Sequence, residues 1–158
     1  MRCLDGEPAI SRYIVVIPQP YTLESAYSFL EDAERRTDDG SAHAFAVVDA
    51  VSERLLGGIG VHWNERRDIG EIGYWASIDA RGRGVTTAAV VLLSRWALAQ
   101  PGAGRLQLRA EPENVASCRV AERAGFRREG VLRSAQWNER IGRRVDFAMY
   151  SLLPPDLE

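Results

Sequence analysis

The sequence has 158 residues, of which 46% are apolar and 27% are charged, and its net charge is −2. This length and composition are typical of one globular domain with its own core, and the slight negative charge argues against binding to the phosphate backbone of nucleic acids. Because the sequence has no apolar run of about 18 residues and no signal-peptide pattern at its start, we expect a cytoplasmic protein that has no membrane partner.

The residue types narrow the chemistry further, since all 20 basic residues are arginine. Without a lysine the chain forms no Schiff base and has no Walker A loop. Its two cysteines, Cys3 and Cys118, are too few for a disulfide framework or a cysteine-rich zinc site. The two histidines, His43 and His62, fall in strand-like segments without further metal-ligating residues. We therefore expect no bound metal.

Hydrophobic periodicity predicts a helix, three strands, a helix, a strand, a helix and two strands, in that order. The first helix begins after Thr22, a residue type that favours the N-cap position, and ends near Gly40. The strands that follow it form an antiparallel meander, and the order as a whole indicates one α/β domain over residues 1–158 with a mixed sheet. The remaining expected elements are strands His43–Ala50, Leu55–Trp63 and Ile69–Ser77, helix Val85–Ala99, strand Arg105–Ala110, helix Val115–Ala124, and strands Phe126–Leu132 and Arg144–Leu153.

A glycine-rich turn, RGRG at residues 81–84, connects the third predicted strand to the apolar helix. Glycines in such a turn let the main chain approach a ligand closely, and amides at a helix N-terminus favour an anion. A dinucleotide-binding fingerprint does not fit, because its third glycine would fall at Thr87 and no acidic residue follows at the ribose position. The segment Gly57–Gly60 lies within a strand pattern, so we do not interpret it as an RNA-binding loop.

Several further segments accompany this turn in a fixed order. They are "SRYIVVIPQPYTLESAYSFL" at 11–30, "EIGYWA" at 71–76, "ENVASCRVAERAGFRREGVLR" at 113–133 and "DFAMYSLL" at 146–153. With them the chain resembles the GNAT superfamily of acetyl-CoA-dependent N-acetyltransferases, particularly its RimJ/RimL-like branch. The resemblance covers nearly the whole chain and implies a single GNAT-type domain, in which helices flank a mixed, mostly antiparallel central sheet.

The resemblance implies that acetyl-CoA is the co-substrate. Its diphosphate is expected on the loop amides, with the guanidinium groups of Arg81 and Arg83 adding charge-assisted contacts. Its pantetheine arm is expected along the third predicted strand and beside Asn114, and the hydroxyl of Ser117 is expected to protonate the leaving thiolate. The residues expected to bind the co-substrate are Trp75, Ala76, Ser77, Arg81, Arg83, Gly84, Val85, Thr86, Thr87, Asn114 and Ser117.

Catalytic and structural roles compete at several of these positions. The resemblance puts a proton-accepting carboxylate at Glu71, acting directly or through water, and Glu111 and Glu113 are nearby alternatives. Asn114 is also a natural N-cap of the following helix, and the aromatic pair at 74–75 fits plain core packing equally well. Cys118 has no nearby histidine in the sequence to activate it, so we interpret it as a buried helix thiol and not as an acetyl-carrying nucleophile.

The chain departs from the family pattern in two places. The pattern Arg/Gln-x-x-Gly-x-Gly/Ala fits residues 81–86 except at its last position, which is Thr86, where we expect altered binding of phosphate. Family members also begin with a strand and a helix before the segment that matches residues 11–30. Either that N-terminal unit is truncated or Ile14–Ile17 fills its place. If nothing does, strand His43–Ala50 keeps an unpaired edge that invites a homodimer.

The expected reaction is direct transfer of an acetyl group from acetyl-CoA to a primary amine. By resemblance alone, the favoured acceptor is the α-amine at the N-terminus of a protein or peptide. Two alternatives stay open: an acetyltransferase for a small-molecule amine, an amino acid or an antibiotic, and a CoA-binding module without catalysis. Acceptor clefts are built from variable loops, so family membership alone does not separate these alternatives.

Overall fold

The computed structural model describes residues 8–15 and 17–157 and has a six-stranded sheet at its centre. None of the described helices combines the length and the apolar character that a bilayer span requires. The helices are α1 (Pro8–Tyr13), α2 (Leu23–Asp38), α3 (Val85–Leu98) and α4 (Val115–Arg123), and the strands are β1 (Ala42–Val48), β2 (Leu55–Trp63), β3 (Ile69–Ala76), β4 (Arg105–Ala110), β5 (Arg127–Asn138) and β6 (Arg143–Leu152).

The strand order in the sheet is β1-β2-β3-β4-β6-β5. Strands β3 and β4 are parallel, and every other neighbouring pair is antiparallel. The parallel pair requires a crossover, which α3 supplies. The predicted mixed, mostly antiparallel sheet with flanking helices is therefore confirmed, as is the meander formed by the first three strands.

Local sequence signals explain where the helices begin and end. The Thr22 side chain accepts a hydrogen bond from the Ser25 amide, and the Ser25 side chain accepts one from the Thr22 amide, which makes a capping box at the start of α2. At the start of α4, the Asn114 side chain accepts a hydrogen bond from the Ser117 amide and caps the first turn. Gly125 follows that helix with a φ of +93°, a conformation that favours glycine. The predicted N-cap at Thr22 is confirmed.

The core lies between one face of the sheet and the helices α3 and α4. Helix α3 contributes Val90 and Ala97, which are fully buried, and β4 contributes Leu106 and Leu108 from alternate positions. The apolar character of the segment that forms α3 fits this position against the sheet. Burial of apolar surface around this helix fixes the ends of β3 and β4, on which the candidate site is built.

Strand β5 is longer than the sequence predicts, since it runs from Arg127 to Asn138 and not from Phe126 to Leu132. Its register against β6 shifts between Leu132 and Gln136. Ser134 has a φ of +54° in this irregular segment, and its amide donates a 2.7 Å hydrogen bond to Asp146 Oδ1. The polar bulge resembles a loop in the sequence, but pairing with β6 resumes beyond it.

The edge formed by α2 and β1 is less well packed. Helix α2 has no buried residue, and the side chains of Leu23, Tyr27 and Leu30 are more than half exposed. The suggestion that residues 14–17 replace an additional strand is wrong for residues 14, 15 and 17, which lie in no strand, while residue 16 is outside the described part. Among the described residues nothing pairs with the outer edge of β1, and a homodimer through this edge stays a prediction.

Candidate active site

The two parallel strands separate partway along their length. Strands β3 and β4 pair only from Ile69–Glu71 to Arg105–Gln107, although β3 continues to Ala76 and β4 to Ala110. We call the gap beyond these pairs the split. On this side of β3, the main chain has no strand partner among the described residues and is therefore able to pair with an extended ligand.

The glycine turn lies directly beyond the end of β3, at the N-terminus of α3. Gly82 and Gly84 have φ values of +71° and +76°, and a Cβ at either position would have nothing within 4 Å, so backbone conformation and not crowding favours glycine there. The first amide of α3 that donates within the fold is that of Ala88, to the Gly84 carbonyl at 3.0 Å. The amides of residues 85–87 have no acceptor among the described residues, so they form a site for an anion.

Ser77, between β3 and this turn, carries a buried hydroxyl that has no partner among the described residues. Its main-chain amide donates to the Leu56 carbonyl at 2.8 Å, which attaches the end of β3 to β2. The side chain is only 4% exposed, and Ser77 Oγ makes no hydrogen bond to a described residue. Because this oxygen is shielded from solvent, it lies inside the protein and not on the surface that a ligand would contact.

Two arginines flank the turn. A guanidinium nitrogen of Arg83 donates to the Asp79 carbonyl at 3.2 Å, and one of Arg81 lies 3.4 Å from the Ala76 carbonyl. Both side chains thus contact main-chain carbonyls near the end of β3, and both residues are exposed. Positive charge therefore adds to the field of the helix N-terminus at this place.

Trp75 packs across the neighbouring strand. It pairs with Gly58 of β2, and a Cβ at Gly58 would lie 2.5 Å from the indole nitrogen. Ala76 pairs with Gly57 in the same way. Thr86, the departure from the family pattern, lines a small cavity below the turn together with parts of β2 and β3. The predicted residues of β3 and of the turn thus lie next to one another.

Helix α4 faces the split from the other side. Its N-cap, Asn114, accepts a 3.2 Å hydrogen bond from the Ser117 amide, so the structural role considered for Asn114 is present. Tyr74 Oη lies 2.8 Å from the Ser117 hydroxyl, where either oxygen is able to donate, and 3.2 Å from the Ser117 carbonyl, which accepts only. Loss of solvent contact raises the pKa of Tyr74 to about 12. Sequence reasoning did not assign Tyr74 to the site, and side-chain alternation from buried Ile72 is the signal that puts it on this face.

Glu71 lies on the opposite face of the sheet from Tyr74 because side chains alternate along β3. Glu71 Oε1 accepts hydrogen bonds from Arg109 at 2.6 and 2.9 Å, and Oε2 accepts one from Gln107 at 3.0 Å. A carboxylate has about four lone-pair sites, so Oε2 keeps the capacity to accept from a water or an amine. Arg109 also lies over the Phe147 ring at 5.4 Å.

The two alternative carboxylates differ from each other. Glu111, just beyond β4, is only 5% exposed and lies 3.4 Å from the side-chain nitrogen of Asn138. Burial raises the pKa of Glu111. Glu113 instead pairs with Arg12 at 2.9 Å and with Arg143 at 3.2 Å on the surface. Of the two, Glu111 has the properties of a proton acceptor, since burial favours its protonated form.

The remaining reactive side chains are not assembled into a site. Cys118 is half-buried and its sulfur lies 3.8 Å from the Glu111 carbonyl, while Cys3 lies outside the described residues. The His43 ring packs edge-on against Trp96 at 4.9 Å, and His62 is paired with Glu71 across β2 and β3. In the described part of the chain, no group of three histidine, cysteine or acidic side chains is arranged to hold a metal ion.

Comparison with known proteins identifies the family. A family model described as acetyltransferase (GNAT) domain matches residues 2–127, which is more than half of the chain. The chain belongs to the GNAT family of acetyltransferases. This GNAT chain is 29% identical over 141 residues to probable N-acetyltransferase YjcK of Bacillus subtilis (strain 168), covering 87% of this chain and 76% of that protein.

A second relative and a solved structure agree with this assignment. The GNAT chain is 25% identical over 150 residues to uncharacterized N-acetyltransferase p20 of Bacillus licheniformis, with 94% of this chain and 82% of that protein covered. The crystal structure of RimL, a ribosomal L7/L12 α-N-protein acetyltransferase in complex with coenzyme A, has a TM-score of 0.85 at 20% identity. It covers 96% of this chain and 84% of that one, and supports the GNAT fold. The protein is thus an acyltransferase.

Proposed function

We propose that this enzyme transfers the acetyl group of acetyl-CoA to the α-amine at the N-terminus of a protein or peptide. The observation that carries the proposal is the split between β3 and β4, which opens beside the amides of residues 85–87. An extended arm pairs with an exposed strand edge, and a diphosphate binds at a helix N-terminus. Acetyl-CoA has both parts, joined covalently to each other.

In this proposal the diphosphate lies on the amides of residues 83–87, with Arg81 and Arg83 beside it. The pantetheine arm lies along residues 75–77 and forms a hydrogen bond with the Asn114 side chain, whose amide group is able to donate and to accept. The edge of β3 beyond Glu71, which has no strand partner among the described residues, supports this placement, since an arm rich in amide groups is able to pair with it. Thr86 adds a hydroxyl that is able to donate to phosphate.

The co-substrate supplies an acetyl group that is already activated as a thioester. The residues of the chain therefore have three tasks: they hold the thioester in place, accept a proton from the attacking amine and return a proton to the sulfur. We assign the first proton to Glu71 and the second to Ser117. These side chains lie on opposite faces of the sheet with the split between them, which gives the amine and the leaving group separate approaches.

Glu111 is the second candidate for the proton acceptor. Its burial and its raised pKa favour it, whereas Glu71 is the more exposed of the two and is hydrogen-bonded to Arg109 and Gln107. Neither carboxylate is without partners among the described residues. The proposal therefore assumes modest assistance from a base and an acceptor that needs little of it.

The energetics of deprotonation then favour an α-amine. An amine with a pKa near 8 is neutral about a tenth of the time at pH 7, which costs roughly 1.4 kcal/mol. A lysine side chain with a pKa near 10.4 costs about 4.6 kcal/mol by the same arithmetic. That RimL is an α-N-protein acetyltransferase supports the same acceptor class. Because acetyl-CoA must be available to the enzyme, the proposal includes a cytoplasmic location.

A mass-spectrometric screen tests the acceptor. The wild-type protein and acetyl-CoA are incubated with peptides that have a free N-terminus and no lysine, with N-terminally blocked peptides that contain lysine, and with small amines including aminoglycosides. We expect a mass increase on the peptides with a free N-terminus. Acetylation of small amines alone would favour the small-molecule alternative. Acetyl-CoA binding without transfer to any amine would favour a non-catalytic module.

A further inference from the structure

Tyr74 contacts the proposed proton donor across the split, and the function proposed above does not use it. Its hydroxyl oxygen lies 2.8 Å from Ser117 Oγ, and the two residues are 43 positions apart in the sequence. Both side chains are partly buried. The contact therefore results from the packing of β3 against α4 and not from local helix geometry.

We infer that Tyr74 is a positioning residue that orients the Ser117 hydroxyl for donation to the leaving sulfur. This inference rests on the proposed function. It concerns the same site, but it gives Tyr74 a role and a hydrogen-bond direction that the motif at 71–76 and the proposal above do not specify.

The number of protons that the two hydroxyl groups are able to donate explains how Tyr74 orients Ser117. A serine hydroxyl has one proton to donate and two lone pairs that accept, and a tyrosine hydroxyl also has one proton. Ser117 Oγ, at 2.8 Å, is a nearer acceptor for Tyr74 Oη than the Ser117 carbonyl, at 3.2 Å. When Tyr74 donates to Oγ, the single proton of Ser117 remains for another acceptor on the side of the split.

The rest of Ser117 is held as well. Its amide donates to Asn114 Oδ1 at 3.2 Å, which fixes the residue in the first turn of α4. The side chain has only one rotatable bond before the oxygen, and the contact with Tyr74 restricts it. A hydroxyl fixed in advance gives up less conformational freedom when the reaction needs it.

The proton balance of the step is simple. As the acetyl C–N bond forms and the C–S bond breaks, the amine gives its proton to the base and the departing sulfur takes the proton of Ser117 Oγ. The base then releases its proton to water and Ser117 takes one from water, so that both residues return to their starting protonation states. Tyr74 keeps its own proton and stabilises the oxygen of Ser117 by donating to it, and a pKa of about 12 is compatible with a tyrosine that stays protonated.

A double-mutant cycle tests this assignment. Tyr74→Phe keeps the ring that packs against the core and removes only the hydroxyl. We expect kcat to fall about tenfold, as for one lost hydrogen bond that matters in the transition state, while the KM for acetyl-CoA stays within about twofold. Ser117→Ala is expected to lower kcat further. Adding Tyr74→Phe to Ser117→Ala should change kcat by less than about twofold, because the two residues act as one unit.

Tyr27→Phe is the matched control, because this tyrosine is 60% exposed on α2 and lies outside the site. Each variant is assayed at least about 15 °C below its own melting midpoint, so that loss of folded protein does not imitate a loss of kcat. Equal kcat for Tyr74→Phe and Tyr27→Phe would overturn the assignment, and so would independent effects that multiply in the double variant. Absence of transfer by the wild type to every amine would overturn the proposed function, and the role of Tyr74 with it.

Discussion

Two halves of the sheet differ in how their apolar residues are used. Around α3 and β4, side chains such as Val90 and Leu108 are at most 1% exposed. Around α2 and β1, Leu23, Tyr27 and Leu30 are between 52% and 60% exposed. We call these the site half and the edge half. Hydrophobic burial therefore supports the split and the glycine turn, whereas the edge half adds little to the stability of either.

The largest expected effect separates the two halves by stability. Leu108→Ala removes a fully buried side chain of the site half and should lower the free energy of unfolding by about 3 kcal/mol. The matched change in the edge half, Leu30→Ala, should alter it by less than about 0.5 kcal/mol. Urea denaturation measures both values. Equal losses of unfolding free energy for the two variants would mean that Leu30 is packed as firmly as Leu108, which would contradict the difference between the two halves.

The second prediction concerns catalysis by the site half. Glu71→Gln should lower kcat/KM about tenfold if Glu71 accepts the proton of the amine, since deprotonating an α-amine costs roughly 1.4 kcal/mol at pH 7, and it should move the acid limb of the pH profile upward. Glu34→Gln is the control, since it makes the same chemical change on an exposed position of α2. An unchanged pH profile for Glu71→Gln, together with a loss of activity in Glu111→Gln, would transfer the role to Glu111.

The third prediction concerns binding at the turn. Gly84→Val puts a β-branched side chain at a φ of +76°, beside amides that are proposed to hold the diphosphate. We expect the Kd for acetyl-CoA to rise about 30-fold, which corresponds to about 2 kcal/mol. Gly102→Val carries a similar backbone strain at a φ of +84° in the turn after α3, outside the site, and serves as the control. Calorimetry that gives both variants the same Kd would refute the assigned position of the cradle.

The smallest expected effect is a pH-dependent contribution to stability. Hydrogen bonds from Arg105, at 2.6 and 2.8 Å, and from Ser151 lower the pKa of Glu129 to about 2. Because the pKa is lower in the folded state, the ionised carboxylate stabilises the fold above its unfolded pKa near 4.3, and this contribution is lost as the pH falls toward 2.

Glu129→Gln should therefore lower stability at pH 7 by at most about 1 kcal/mol, since the pair is partly exposed. The difference from the wild type should shrink between about pH 4.3 and pH 2. Thermal unfolding across this pH range measures it, with Glu65→Gln, an exposed position in the turn between β2 and β3, as the control. A difference that stays constant over the range would contradict the low pKa.

Parts of the fold could be predicted because local signals were unambiguous. The apolar run of β2 and the alternation of polar and apolar residues in β4 predict the right boundaries, and Thr22 marks the start of α2. The bulge in β5 could not be predicted in this way, because the residues around Ser134 are polar and their pairing depends on β6. The same holds for α2, whose helical spacing of apolar residues does not reveal that these residues stay exposed.

The same distinction applies to the candidate site: its local features could be predicted, and its contacts between distant residues could not. The turn and the N-cap at Asn114 are local features, so a motif was enough to propose them. The contact between Tyr74 and Ser117 and the pairing of Glu71 with Arg109 join residues about 40 positions apart. They depend on which face of β3 each side chain occupies and on the packing of α4, and a single sequence contains this information only indirectly.

The most direct test of the central claim is a crystal structure of the wild-type protein grown with coenzyme A. We expect oxygens of the diphosphate about 3 Å from the amides of residues 85–87, with the pantetheine arm running between β3 and β4 and its sulfur near Ser117. Coenzyme A bound at any other place, with the split closed by strand pairing or by side chains of the protein, would contradict the account.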